Sequence, residues 1–142
     1  MDKPIDTSIN SGLMKFTFTD TDGDVFAFFK LNPTDVRLAG RCEEIAKYFE
    51  ERGSNLPQNV SMADMVRWDD ELEEKICYLL GYDARSTLFG MMSATTILPD
   101  GDLFVVKVMR RIQEVIGPEV RKRKQNMQKA VNRHTAKYQN QK

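Results

Sequence analysis

The stretch from Met14 to Arg52, MKFTFTDTDGDVFAFFKLNPTDVRLAGRCEEIAKYFEER, decides the fold. Its first half alternates with period two, Phe16 and Phe18 on one face and Lys15, Thr17 and Thr19 on the other. Successive strand side chains point to opposite faces, so this pattern predicts a strand. Beyond Asp20-Thr21-Asp22-Gly23-Asp24, Val25, Ala27 and Phe29 alternate with Phe26, Phe28 and Lys30. Two such runs around an Asp-Gly turn predict a β-hairpin. Phe26 and Phe28 make the second strand apolar on both faces, so one face is expected to pack on helices and the other to meet a partner.

The second half of the stretch predicts a helix. Asn32 is the expected N-cap, Pro33 suits the first helical position, and Asp35 favours the positive end of the dipole. Val36, Ala39, Cys42, Ile45, Ala46 and Phe49 follow at three- and four-residue steps as one apolar stripe. Gly40 costs about 1 kcal/mol relative to Ala inside a helix, so close approach of another element is expected there. Gly53 is the expected stop, opening a loop to Asn59.

Farther along, Ser61 and Asp64 have capping-box spacing and open a second helix. Its expected buried face is Met62, Met65, Leu72, Ile76, Leu79 and Leu80, with Gly81 as terminator. Asp83 is placed to cap a short helical turn through Thr87, Leu88 and Phe89, ending at Gly90. Pro99-Asp100-Gly101-Asp102 reads as a turn before a third helix with Phe104, Val108, Ile112, Val115 and Ile116 inward. Gly117-Pro118 is expected to break that helix. From Glu119 a polar helix carries a thin coiled-coil-type seam: Val120, Lys124, Met127, Val131, His134 and Tyr138. The seam can pack on the body or on another copy, which leaves a homo-oligomer open. The reading is an α+β, mainly helical single domain with an N-terminal β-hairpin and an extended basic C-terminal helix. Residues 1–13 form a flexible leader, 14–117 the domain, and 118–142 the basic tail.

With 142 residues the chain is the size of one domain. Its 21 basic and 21 acidic residues balance overall but not locally. From Pro118 onward there are eight basic residues against Glu119 alone, so the tail carries +7 and the body −7. Such asymmetry marks an interaction tail. Arg121-Lys122-Arg123-Lys124 lacks the interleaved aromatics of nucleic-acid binders, which favours an acidic protein partner over nucleic acid. The sequence has no apolar run of the ~20 residues that a spanning helix needs, and its first residues lack an apolar signal core. No membrane association and a cytoplasmic location are the expectations. Cys42 and Cys77 are too few for a structural zinc site; they read as buried reduced thiols, with a single disulfide as the alternative.

The aspartate turn invites a metal reading, which its spacing rejects. An EF-hand loop needs Gly at position six and Glu at position twelve. Counting from Asp20, those positions hold Val25 and Leu31. The acidic run Asp69-Asp70-Glu71-Leu72-Glu73-Glu74 reads as the solvated face of an amphipathic helix. His134 is the only histidine and has no cysteine near it in sequence. No catalytic residue, cofactor or metal ligand is expected.

The block FxFxDxDGDVFAFFxLNPxDVRLAGRxEEI, followed by an acidic helix and the Leu88-Phe89-Gly90 turn, resembles the tail assembly chaperones encoded in tail modules of siphophages and prophages of Gram-positive bacteria. The resemblance implies a non-enzymatic role in the bacterial host cytoplasm. Such a protein binds the tape measure protein, recruits major tail tube subunits, and leaves before the virion is complete. Phe26, Phe28, Met62 and Met65 are the expected apolar contacts, with Met91 and Met92 as further adaptable groups. Arg121, Lys122, Arg123 and Lys124 are the expected basic contacts. Two other readings are a structural virion connector or tail protein and a nucleic-acid-binding accessory protein.

Overall fold

Antiparallel pairing of β1 (Met14–Thr19) with β2 (Val25–Leu31) builds the hairpin that the sequence pattern predicts. The computed structural model describes residues 3–54 and 59–139. In the connecting turn, Gly23 takes a φ of 88° and donates to the Asp20 carbonyl at 2.9 Å. Asp20 and Asp22 accept from the backbone N–H groups of Thr21 and Asp24. The aspartates thus serve the turn itself.

Simple alternation places Phe26 on the outer face with Phe28, and the structure corrects this. Phe18 pairs with Ala27 while Thr19 pairs with Val25, so Phe26 is the extra residue of a β-bulge. The bulge redirects its ring inward, where it lies 5.7 Å from the Phe104 ring and 6.4 Å from Phe18. Phe28 keeps the outer face, half-buried beneath Lys15, whose ammonium sits 4.2 Å from the ring centre.

Helix α1 (Val36–Ser54) begins later than expected. Asn32 caps a preceding turn, accepting from Thr34 through Oδ1, while Asp35 accepts from the N–H of Arg37 at 3.0 Å and is the true cap. Pro33 therefore lies outside the helix. The later start brings Leu38 into the core beside Cys42 and Ile45 and leaves Val36 exposed. Gly53 does not stop the helix, which runs through Ser54; the expected loop at 55–58 falls outside the described residues.

Helix α2 (Met62–Leu80) opens with the predicted capping box between Ser61 and Asp64 and closes at Gly81, with φ 82°. Leu72, Ile76, Leu79 and Leu80 are buried as expected. Met62 and Met65 are not, because the first turns of α2 extend past the core; Met62 is 74% exposed. A short α3 (Arg85–Leu88) follows, with Asp83 accepting from the Arg85 N–H.

Helix α4 (Phe104–Gln139) is a single 36-residue element with Pro118 inside it, not two helices broken at Gly117-Pro118. Proline removes one helical hydrogen bond and crowds the residue before it. Gly117 has no Cβ to clash with the proline ring, which relieves that crowding. Ile116 and Val120 also pack across the break onto the core. The first N–H groups of α4 are satisfied by loop carbonyls: Phe104 donates to Thr96 and Val105 to Ala94, at 2.8 and 2.9 Å.

These elements form one α+β core, mainly helical. Leu72, Ile76, Leu79, Leu88, Val108 and Ile112 fill it under the Phe29 face of the hairpin. Gly90 closes the α3 turn, where a Cβ would collide with the Ser86 carbonyl oxygen. Gly90→Ala is expected to destabilise the fold by about 1–3 kcal/mol, measured as a lower urea midpoint with an unchanged slope.

Candidate functional site: an interaction surface

The distal half of α4 is the least covered part of the body. Every side chain described from Arg121 to Ala136 is exposed. At 1.5 Å per residue, the 36-residue helix is about 54 Å long, so roughly half of it extends beyond the core. Met127 and Val131 are 63% and 57% exposed on this arm. They follow Val120, which still packs against the core, along one helical face. Lys122, Lys129 and Arg133 fall on the opposite side. The arm is therefore amphipathic, with an apolar seam and a basic back. Tyr138, the last expected member of the seam, lies outside the described side chains.

The four expected basic contacts divide into two pairs. Arg123 donates to the Thr34 carbonyl, and Lys124 lies 3.8 Å from Glu43, so both tether α4 to α1. Arg121 and Lys122 point into solvent. Of the apolar contacts, Met62 and Met65 join the exposed Val66 as a small patch on the first turns of α2. Phe26 belongs to the core cluster and Phe28 to the hairpin's outer face, so these residues do not converge with the α4 seam.

A feature unremarked in the sequence lies between α1 and α4. An apolar groove of about 310 Å³ is walled by Val36, Ala39 and Gly40 on one side and Val120 and Met127 on the other. It adjoins a second hollow of about 280 Å³ that shares Ala39 and Val120 and reaches Ala46 and Ile116. No element packs closely on Gly40: a Cβ there would meet nothing within 4 Å. Small residues at 39, 40 and 46 were the available signal. Finding the groove needed the continuity of α4 across Pro118.

The acidic run of α2 is more than a solvated face. Asp69 accepts from both the N–H and the hydroxyl of Thr95 at 2.8 Å, fastening the loop before α4. Tyr48 donates to Glu71, and Arg85 lies 3.5 Å from Glu74. Burial pushes Glu73 up to about 8, reinforced by its hydrogen bond to Asp69 and that carboxylate's charge, while Arg85 opposes the shift. Burial also works to raise Asp69, but hydrogen bonds from Glu73 and Thr95 outweigh it and hold Asp69 below its ordinary value. The opposite shifts make Glu73 the proton-bearing partner in the hydrogen bond to Asp69.

Among the described residues, no group of three or more His, Cys, Asp or Glu side chains is placed to hold a metal, and no helix is long and apolar enough to cross a membrane. Cys42 and Cys77 are free thiols, Cys42 buried and Cys77 half-buried. No protein-family model, curated protein or solved structure matches the chain.

The Asp69–Glu73 pair makes stability depend on pH. Because the folded state raises the Glu73 value, its contribution is complete below the unfolded value near 4.5 and is lost as pH rises through about 8. The expected loss is about 1–2 kcal/mol, reduced from the full linkage value because the side chain is partly exposed. The urea midpoint should fall from pH 5 to pH 9 for the native chain and change less for Glu73→Gln, which keeps a neutral donor toward Asp69.

Proposed function

We propose that this protein is a non-enzymatic phage tail assembly chaperone acting in the bacterial host cytoplasm, where it holds the tape measure protein and recruits tail tube subunits. The observation that carries the reading is the distal half of α4: an uncovered helix with an apolar seam and a basic back. A polar helix standing alone in water is only marginally stable, and most helical stability comes from packing an amphipathic face. Its seam therefore favours a helical partner, which a long tape measure protein supplies in quantity. The basic back of the same helix favours acidic segments of that partner. Exposed Met62 and Met65 add flexible, polarisable contacts suited to a client of varied sequence. The resemblance carried by the Met14 to Arg52 block points the same way.

Co-expression with a phage tape measure protein should yield a soluble complex that survives purification and weakens as salt rises. Met127→Asp with Val131→Asp should weaken that complex roughly tenfold or more. Its melting temperature should stay near that of the native chain, since both side chains are exposed. A complex unaffected by the double substitution removes the seam from the interface. Detection of the protein in purified particles would instead support a structural virion subunit.

A further inference from the structure

We infer that the groove between α1 and α4 is the receptor for the N-terminal arm, residues 3–10, of a second copy of this chain. The arm has no regular structure, and all its described side chains are exposed. Ile5 and Ile9 are 92% and 78% exposed, the two large apolar side chains of a segment otherwise polar or small. In an extended chain, residues four apart share a face, so both isoleucines present together with Thr7 between them. Asp6, Ser8 and Asn10 turn the other way.

The arm's root lies at the groove's mouth. Asn32 Nδ2 donates to the Ser11 carbonyl at 2.8 Å, and Asn32 Oδ1 accepts from the Thr34 N–H and hydroxyl. The Thr34 carbonyl in turn accepts from Arg123 on the opposite wall. Pro33 and Thr34 themselves line the mouth. A continuous run of hydrogen bonds thus ties the arm's origin to both walls.

From that anchor the chain leaves its own groove, as the exposure of Ile5 and Ile9 shows. Two copies placed with their groove mouths together bring each arm to the other's groove, an exchange that closes with two-fold symmetry. Eight extended residues reach about 26 Å, whereas α1 from Val36 to Ala46 rises about 15 Å. The arm is long enough to span the receptor. The groove is apolar and has room for two branched aliphatic side chains. Gly40 fits the same picture: it lies inside a helix, lacks any neighbour a Cβ would touch, and borders the space that an incoming side chain would fill.

The test uses the full chain alone, so its outcome is separate from that of the tape measure reading. Sedimentation should show a dimer that Ile5→Asp with Ile9→Asp converts to monomer. Gly40→Leu, which fills the groove without entering the core, should do the same, and Val36→Glu at the rim provides a second block. All three should keep native circular dichroism and melting within a few degrees. Mixing the arm variant with the Gly40→Leu variant should restore a heterodimer, because one intact arm then meets one intact groove. A native chain that is monomeric at 100 μM, a Gly40→Leu dimer, or a mixture that stays monomeric would each overturn the proposal. The first result together with lower melting of the arm variant would place the arm in its own groove instead.

Discussion

Phe104 is the residue on which the hairpin, the turn after α3 and the start of α4 converge. Its ring lies 5.6 Å from Phe18, 5.7 Å from Phe26 and 5.9 Å from Phe89, and it is almost wholly buried. The hairpin, the turn after α3 and the start of α4 therefore meet at one aromatic cluster. Edge-to-face and tilted pairs of this kind add about 0.5–1.5 kcal/mol each beyond the area they bury. A two-stranded hairpin is marginal by itself in water, so its persistence rests on that cluster. The bulge at Phe26 matters for this reason: it brings a second hairpin ring onto the same residue.

Two fastenings set the direction of α4 from that point. At its beginning, the carbonyls of Ala94 and Thr96 receive its first N–H groups, and Asp69 holds the same loop through Thr95. Past Pro118, Arg123 and Lys124 reach Thr34 and Glu43 on the α1 side. At the second fastening lies the apolar groove, lined by Arg123 and Lys124 together with Val120 and Met127. Beyond them α4 leaves the body, its seam uncovered. The charge asymmetry of the chain acquires a location in this way: the positive excess is a projecting helix, and the negative excess remains on the body.

Much of this was legible beforehand because the signals are local. Period-two alternation around Asp-Gly, the Ser61–Asp64 spacing and the glycine at 81 each act within a few residues, and each appears where its pattern places it. The readings that failed depend on something farther away. Asn32 is a sound cap by type, yet its Nδ2 is engaged by Ser11 and its Oδ1 by Thr34, so Asp35 takes the helix. Met62 and Met65 continue the α2 stripe, but among the described residues they stay exposed. The acidic run looks like a solvated face until Thr95 and Tyr48 approach it from other elements.

By itself the sequence determined the α+β class, the hairpin, the helices with most of their inward faces, and the concentration of positive charge in the last helix. Hydrophobic period and capping chemistry are short-range properties, and they act whatever the rest of the chain does. The tertiary structure alone decided that Phe26 turns inward, that α4 continues through Pro118, and that Glu73 shares a proton with Asp69. It also decided that a groove opens beside Gly40. Each of these results from residues far apart in the chain competing for the same space or the same hydrogen bond, and only the packed arrangement settles which of them prevails.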